Sequence, residues 1–280
     1  MRVLITGAGG QLGYDLAASF EEAGDEVIAA DRAALDVADR DATVGAITTI
    51  APDAVIHAAA WTEVDACESD PDRAFRINAL GTRNVADGAR RAAAYVCYVS
   101  TDYVFDGTAT TPYNEWATPN PLSVYGRSKL GGERELLDPG WSTVRTSWVC
   151  GVQGANMVKT ALRLAAEPGE LRFVDDQHES PTFSADLAPA IRRLVAGRFP
   201  GLFHITNQGA TTRYEFVRTT LEAAGHDAGR VVPVTTAAVP RPAPRPAYSV
   251  LDNAALRLSG LPLLGHWREP LERLVKGLLA

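Results

Sequence analysis

The chain has 280 residues, 46% hydrophobic and 22% charged. That balance suits one large α/β domain, or a nucleotide domain with a smaller lobe, and excludes a disordered polymer. A formal net charge of −7 argues against nucleic acid as a partner, and no apolar run reaches the ~18 residues of a membrane span. The opening MRVLITGAGG lacks a signal peptide's apolar region. Cys67, Cys97 and Cys150 form no CxxC, so the expectation is reduced thiols in a cytoplasmic protein. His57, His178, His204, His226 and His266 are scattered, and no metal site is expected.

The first half alternates short apolar runs with helical patterns. Residues 2–6 predict a strand, and residues 11–23 an amphipathic helix closed by Gly24. Residues 26–30 and 53–57 predict two more strands, with a helix over 39–50 between them. A long helix over 71–93 leads to a fourth strand at 95–100, and 141–146 supplies a fifth. Apolar strands separated by helices mean βαβ units and a parallel sheet, with ligands at the carboxyl ends of the strands. After residue 150 the rhythm loosens. Helices are expected over 156–166, 186–196 and 214–224, with strands at 171–174 and 201–206. Pro240, Pro242, Pro244 and Pro246 forbid regular structure there, and apolar residues resume at once, so this tract reads as an ordered loop.

Gly7, Gly10 and Gly13 space as GxxGxxG between the first strand and the first helix. Backbone can there approach a pyrophosphate, whose charge the amides of a helix N-terminus receive. Asp31 ends the second strand, where an acid favours the ribose of NAD; Arg32 follows it and suits a 2′-phosphate. The two argue opposite ways, so NADH and NADPH both stay open. Thr101 follows the fourth strand. In SVYGRSKLGGE (123–133), Tyr125 and Lys129 share one face if 123–137 is a helix. That spacing alone is better explained by a surface pair; the glycine turn, Thr101 after the fourth strand and the YxxxK on the next helix together reverse that reading and make it a candidate proton-transfer site. Lysine occurs only at 129, 159 and 276, in a chain that otherwise uses arginine.

These segments carry a resemblance. GAGGQLG (7–13), HAAAWTEVDACE (57–68), NALGTRNVA (78–86), STDYVFDG (100–107), PYNEWATPNPLSVYGRSKLGGE (112–133), RTSWV (145–149), DDQHESPT (175–182) and RPAYSVLD (245–252) resemble the extended short-chain dehydrogenase/reductases. Within them, the chain is similar to the dTDP-4-dehydrorhamnose reductase family over nearly its whole length. The resemblance implies a Rossmann-type doubly wound parallel sheet with a smaller C-terminal substrate-binding lobe. Residues 1–150 would bind NAD(P), segments near 182–206 would rejoin them, and 151–280 would mainly bind substrate. It implies a catalytic triad of Thr101, Tyr125 and Lys129. The Lys129 ammonium would lower the pKa of Tyr125, which starts near ~10, and would hold the nicotinamide ribose.

By the same resemblance, Gly7, Gly10, Gln11, Leu12, Gly13, Asp31, Arg32, Asp36, Val37, Ala58, Ala59, Ala60, Tyr125 and Lys129 would hold the cofactor. Val64, Asp102, Tyr103, Trp148 and Asn156 would meet the sugar nucleotide, although Trp148 reads equally as core. Asn78 reads as a site orderer or a structural hydrogen bonder, and Arg245 as a diphosphate partner or a solvated arginine. Glu179 departs from the family, which usually has a small residue, often glycine, in DQxGxPT; the shape of that loop is thereby open. Tyr103 stands where the 4,6-dehydratases of the superfamily carry an acid, which favours plain ketone reduction. The expected reaction is NAD(P)H-dependent reduction of the C4 ketone of a dTDP-6-deoxy-4-keto-hexose, by a monomer or homodimer. The rivals are an epimerase or 4-ketoreductase of antibiotic sugar synthesis, and a non-catalytic regulatory subunit.

Overall fold

The computed structural model describes residues 1–136 and 138–280. Strands β1 (Arg2–Thr6), β2 (Glu26–Ala30), β3 (Ala54–His57), β4 (Tyr95–Thr101) and β5 (Ser142–Thr146) are the apolar runs of the first half. Short β6 (Val149–Cys150), β7 (Leu171–Val174), β8 (Thr182–Phe183), β9 (Gly201–His204) and β10 (Val231–Val234) follow. Six of them form one parallel sheet in the order β2-β1-β3-β4-β5-β9. Valine, isoleucine and leucine fill β1 and β3 almost without interruption because helices cover both faces of the sheet. The order reverses between β1 and β3, where Thr6 pairs with His57. A crevice opens beyond the strand ends at such a switch point.

The helices are α1 (Gln11–Glu22), α2 (Arg40–Ile50), α3 (Val64–Ser69), α4 (Pro71–Phe75), α5 (Gly81–Ala92), α6 (Val124–Glu135), α7 (Met157–Ala165), α8 (Ser184–Ala196), α9 (Arg213–Ala223), α10 (Ala254–Leu258) and α11 (Arg268–Leu279). Asp39 caps α2 by accepting from the Ala42 amide at 3.0 Å. Helices α2 and α5 pack together on one side of the sheet, and α1 and α8 on the other. Strand β9 extends the main sheet beyond β5, whereas β7 pairs with β10 in a separate parallel ribbon. No described helix is long and apolar enough to cross a membrane.

One expected element is broken. The helix read over 71–93 divides into α4, a π-helical turn at Arg76–Leu80 and α5. Within that turn the Asn78 side chain serves distant partners: Oδ1 accepts from the Trp61 amide at 2.8 Å, and Nδ2 donates to the Trp61 carbonyl and to Ser128 Oγ. Helix α6 runs to Glu135, and the expected end at Leu137 lies outside the described residues. The proline tract has no regular structure, yet Ala243 within it is buried.

Candidate active site

A cavity of about 840 Å³ lies along the carboxyl ends of β1, β3, β4 and β5. Its cofactor end is set by the first turn. Gly7 has φ +73°, and a Cβ there would stand 2.7 Å from the Ala59 Cα; one on Gly13 would stand 2.2 Å from the Gly7 carbonyl oxygen. Only glycine satisfies both demands. Gly10 is the N-cap of helix α1, and no side chain caps the helix's first amides. Those of Gln11, Leu12 and Gly13 are therefore free for an anion, and all three residues line the cavity. Small Ala58, Ala59 and Ala60 form the facing wall, and Asp31, Arg32, Asp36 and Val37 the far rim. This shape and donor set fit a dinucleotide. Asp31 Oδ1 accepts from the Ala34 amide at 2.8 Å, shaping the turn that presents Arg32.

The other end gathers Thr101, Asp102, Tyr103, Tyr125, Lys129, Val64 and Trp148. Ser123 caps α6 by accepting from the Gly126 amide, which places Tyr125 and Lys129 one turn apart on the inward face. Lys129 is 2% exposed. Its Nζ donates to the Val99 carbonyl at 2.7 Å and lies 4.1 Å from the centre of the Tyr98 ring. Burial lowers its pKa to about 7, against the opposing charge of Glu133. Burial pushes Tyr125 up, while the Thr101 hydroxyl beside it pulls the other way. In this arrangement burial outweighs the neighbouring groups at Tyr125, and the Lys129 ammonium is engaged by the Val99 carbonyl. Thr101 Oγ1 donates to Asp102 Oδ1 at 3.1 Å and accepts from the Tyr103 amide at 3.2 Å. Asp102 Oδ2 accepts from Ser249 Oγ at 2.5 Å, and burial raises this carboxyl to about 6.

Two expected contacts go elsewhere. Asn156 does not line the cavity: it caps α7, and its Nδ2 donates to Gln11 Oε1 and to the Gly151 carbonyl. It therefore orients Gln11 from behind. Arg245 is neither solvated nor free for a diphosphate; it pairs with Asp65 at 2.8 Å and donates to the Ala243 carbonyl. Sequence reasoning missed Thr146, Ser147 and Arg213 in the wall. Thr146 and Ser147 stood inside RTSWV, at the carboxyl end of a predicted strand; Arg213 carried no local signal.

Residues 1–279 match the family model described as RmlD substrate binding domain. The chain is 41% identical over 279 residues to the dTDP-4-dehydrorhamnose reductase of Streptomyces griseus, covering 96% of this chain and 91% of that one. It superposes on a solved dTDP-4-dehydrorhamnose reductase of Clostridium acetobutylicum with a TM-score of 0.97 at 39% identity, covering 100% of both chains. A second such structure, from Bacillus anthracis and in complex with NADP, gives 0.95 at 38% identity over 99% of each. A glycine turn, a Thr-Tyr-Lys cluster and whole-length likeness therefore point one way: the chain belongs to the RmlD family, the dTDP-4-dehydrorhamnose reductases.

Proposed function

We propose that the protein reduces the C4 ketone of a dTDP-6-deoxy-4-keto-hexose, with dTDP-4-dehydro-L-rhamnose the favoured substrate and NADPH the favoured cofactor. The observation that carries this reading is the convergence of Thr101, Tyr125 and Lys129 in the same cavity as the glycine turn. Arg32 at the rim supports NADPH, as does the relative that holds NADP. The reduced nicotinamide supplies the hydride; the protein supplies a place and a proton. Tyr125 gives its phenolic proton to the oxygen developing at C4, a general-acid role worth ~10²–10⁴-fold. Thr101 turns its hydroxyl from Asp102 to the same oxygen. Lys129, held by the Val99 carbonyl one helical turn from Tyr125, would stabilise the phenolate left once the proton has gone. Residues 1–150, with 182–206, would form the dinucleotide half, and the rest of 151–280 would enclose the sugar. Such an enzyme would work in the cytoplasm, as a monomer or homodimer.

The test is incubation of the protein with dTDP-4-dehydro-L-rhamnose and NADPH or NADH. One oxidised cofactor per sugar reduced is expected. A changed sugar without net cofactor oxidation would indicate an epimerase instead.

A further inference from the structure

Tyr98 is wholly buried in β4, which packs against helix α6. It meets one residue of that helix twice. The Lys129 Nζ lies over its ring, 4.1 Å from the centre, and its hydroxyl donates to the Lys129 carbonyl at 3.3 Å. Side chains alternate along a strand, so Tyr98 shares its face with Ser100, whose Oγ donates to Glu133 of the same helix. A buried parallel strand ordinarily places an aliphatic residue at such a position, so a phenol there calls for a reason.

A second ring steadies the first. His57, the cross-strand neighbour of Tyr98 on β3, stacks on it with ring centres 5.4 Å apart and planes 27° from parallel. Thr6 Oγ1 lies 2.8 Å from His57 Nδ1, and Thr82 Oγ1 lies 3.1 Å from Nε2, so both ring nitrogens are engaged. Burial, with the Lys129 charge adding to it, lowers His57 to about 3, and burial pushes Tyr98 well up. Both rings are therefore neutral near pH 7.

Lys129 needs such a neighbour. The carboxylate one turn on, Glu133, pairs with Arg145, and among the described residues none forms an ion pair with Lys129. The negative face of an aromatic ring attracts a desolvated ammonium more strongly than an exposed one. A carboxylate in that place would hold the charge too, but would oppose the phenolate that Lys129 is there to stabilise. An ammonium has three N–H donors, of which the Val99 carbonyl takes one at 2.7 Å.

We propose that Tyr98 is the positioning residue of Lys129: its ring face seats the ammonium one helical turn from Tyr125 without adding negative charge, and its hydroxyl fixes the backbone of the same lysine. This rests on the role given to Lys129 above. Tyr98 lies outside the cavity lining and acts through Lys129.

The chain has three lysines, at 129, 159 and 276, so protein isotope-labelled only in lysine gives three sets of side-chain ε resonances, and Lys129→Met assigns one. With or without NADP, the Lys129 Hε resonance of wild type is expected upfield of the other two, through the ring current of Tyr98. Tyr98→Phe should keep that displacement and Tyr98→Leu should abolish it. With dTDP-4-dehydro-L-rhamnose and NADPH, Tyr98→Phe should hold kcat within ~3-fold of wild type, and Tyr98→Leu should lower it by ~10-fold. In the Lys129→Met background, Tyr98→Leu should cost no more than ~2-fold further, because the two residues act as a unit. Melting temperatures establish that folded proteins are being compared. A Lys129 resonance that coincides with the other two in wild type overturns the proposal, whatever the variants do. So does a Tyr98→Leu loss that recurs in full without Lys129, the mark of a purely structural role. The resonances are read without sugar substrate, so a protein that reduces no dTDP-sugar defeats the reductase reading while the ring-current shift still decides the role of Tyr98.

Discussion

The Nζ of Lys129 donates to the carbonyl oxygen of Val99 at 2.7 Å, which fastens helix α6 to strand β4 beside the candidate proton donor. An ammonium so placed costs stability, since burial lowers its pKa to about 7 while an unfolded lysine titrates near ~10.4. Between those values the unfolded chain binds the extra proton, so native stability rises with pH through that window, and the cost is fully felt below it. Lys129→Met should therefore raise the melting temperature, by more near pH 6 than near pH 9, while lowering kcat by ~10²–10⁴-fold. Melting curves at both pH values check this; a variant no more stable than wild type near pH 6 contradicts it.

Arg32 and Asp31 sit together at the cavity rim, but Asp31 accepts from the Ala34 amide and so shapes its own turn. On the proposed reading, Arg32 would be the group that meets a 2′-phosphate. Arg32→Ala should raise KM for NADPH by ~10-fold and leave KM for NADH within ~2-fold. Steady-state kinetics with both cofactors decide this, and equal losses would return the preference to Asp31.

One turn beyond Lys129, Glu133 accepts a two-pronged contact from Arg145: Nη2 to Oε2 at 2.7 Å and Nε to Oε1 at 2.8 Å. Ser100 Oγ adds a third bond at 2.5 Å. The pair ties α6 to β5 out of solvent, so removing one partner strands a buried charge. Arg145→Met should lower unfolding free energy by ~3–5 kcal/mol, and Glu133→Gln combined with it should recover part of that loss. Urea denaturation of the single and double variants measures both. An additive double variant would mean that the ion pair contributes little.

How much of this was legible follows from where each constraint lies. Gly7 and Gly13 answer to a turn a few residues long, so the cofactor crevice could be read directly from GAGGQLG. Tyr125 and Lys129 needed only helical spacing plus the strand before them. The π-helical turn around Asn78 was not legible, because the partners of the Asn78 side chain, Trp61 and Ser128, are brought near only by the fold. Arg213 was invisible for the same reason: it reaches the pocket through the bridge between Thr211 and Glu179. The bond from Asn156 to Gln11 was likewise not legible, because it joins residues 145 positions apart. The β7–β10 ribbon joins residues sixty positions apart in the sequence, and its second strand, VVPV, contains a proline that discourages the reading.

The central claim is that Tyr125 delivers the proton to a ketone oxygen of a dTDP-sugar, and Tyr125→Phe tests it most directly. The substitution removes one hydroxyl from a ring that packs edge-on against Tyr103 at 5.9 Å, so fold and cofactor binding should survive. With dTDP-4-dehydro-L-rhamnose and NADPH, kcat should fall by ~10²–10⁴-fold while the dissociation constant for NADPH stays within ~3-fold of wild type. Unchanged turnover in the variant would contradict the account.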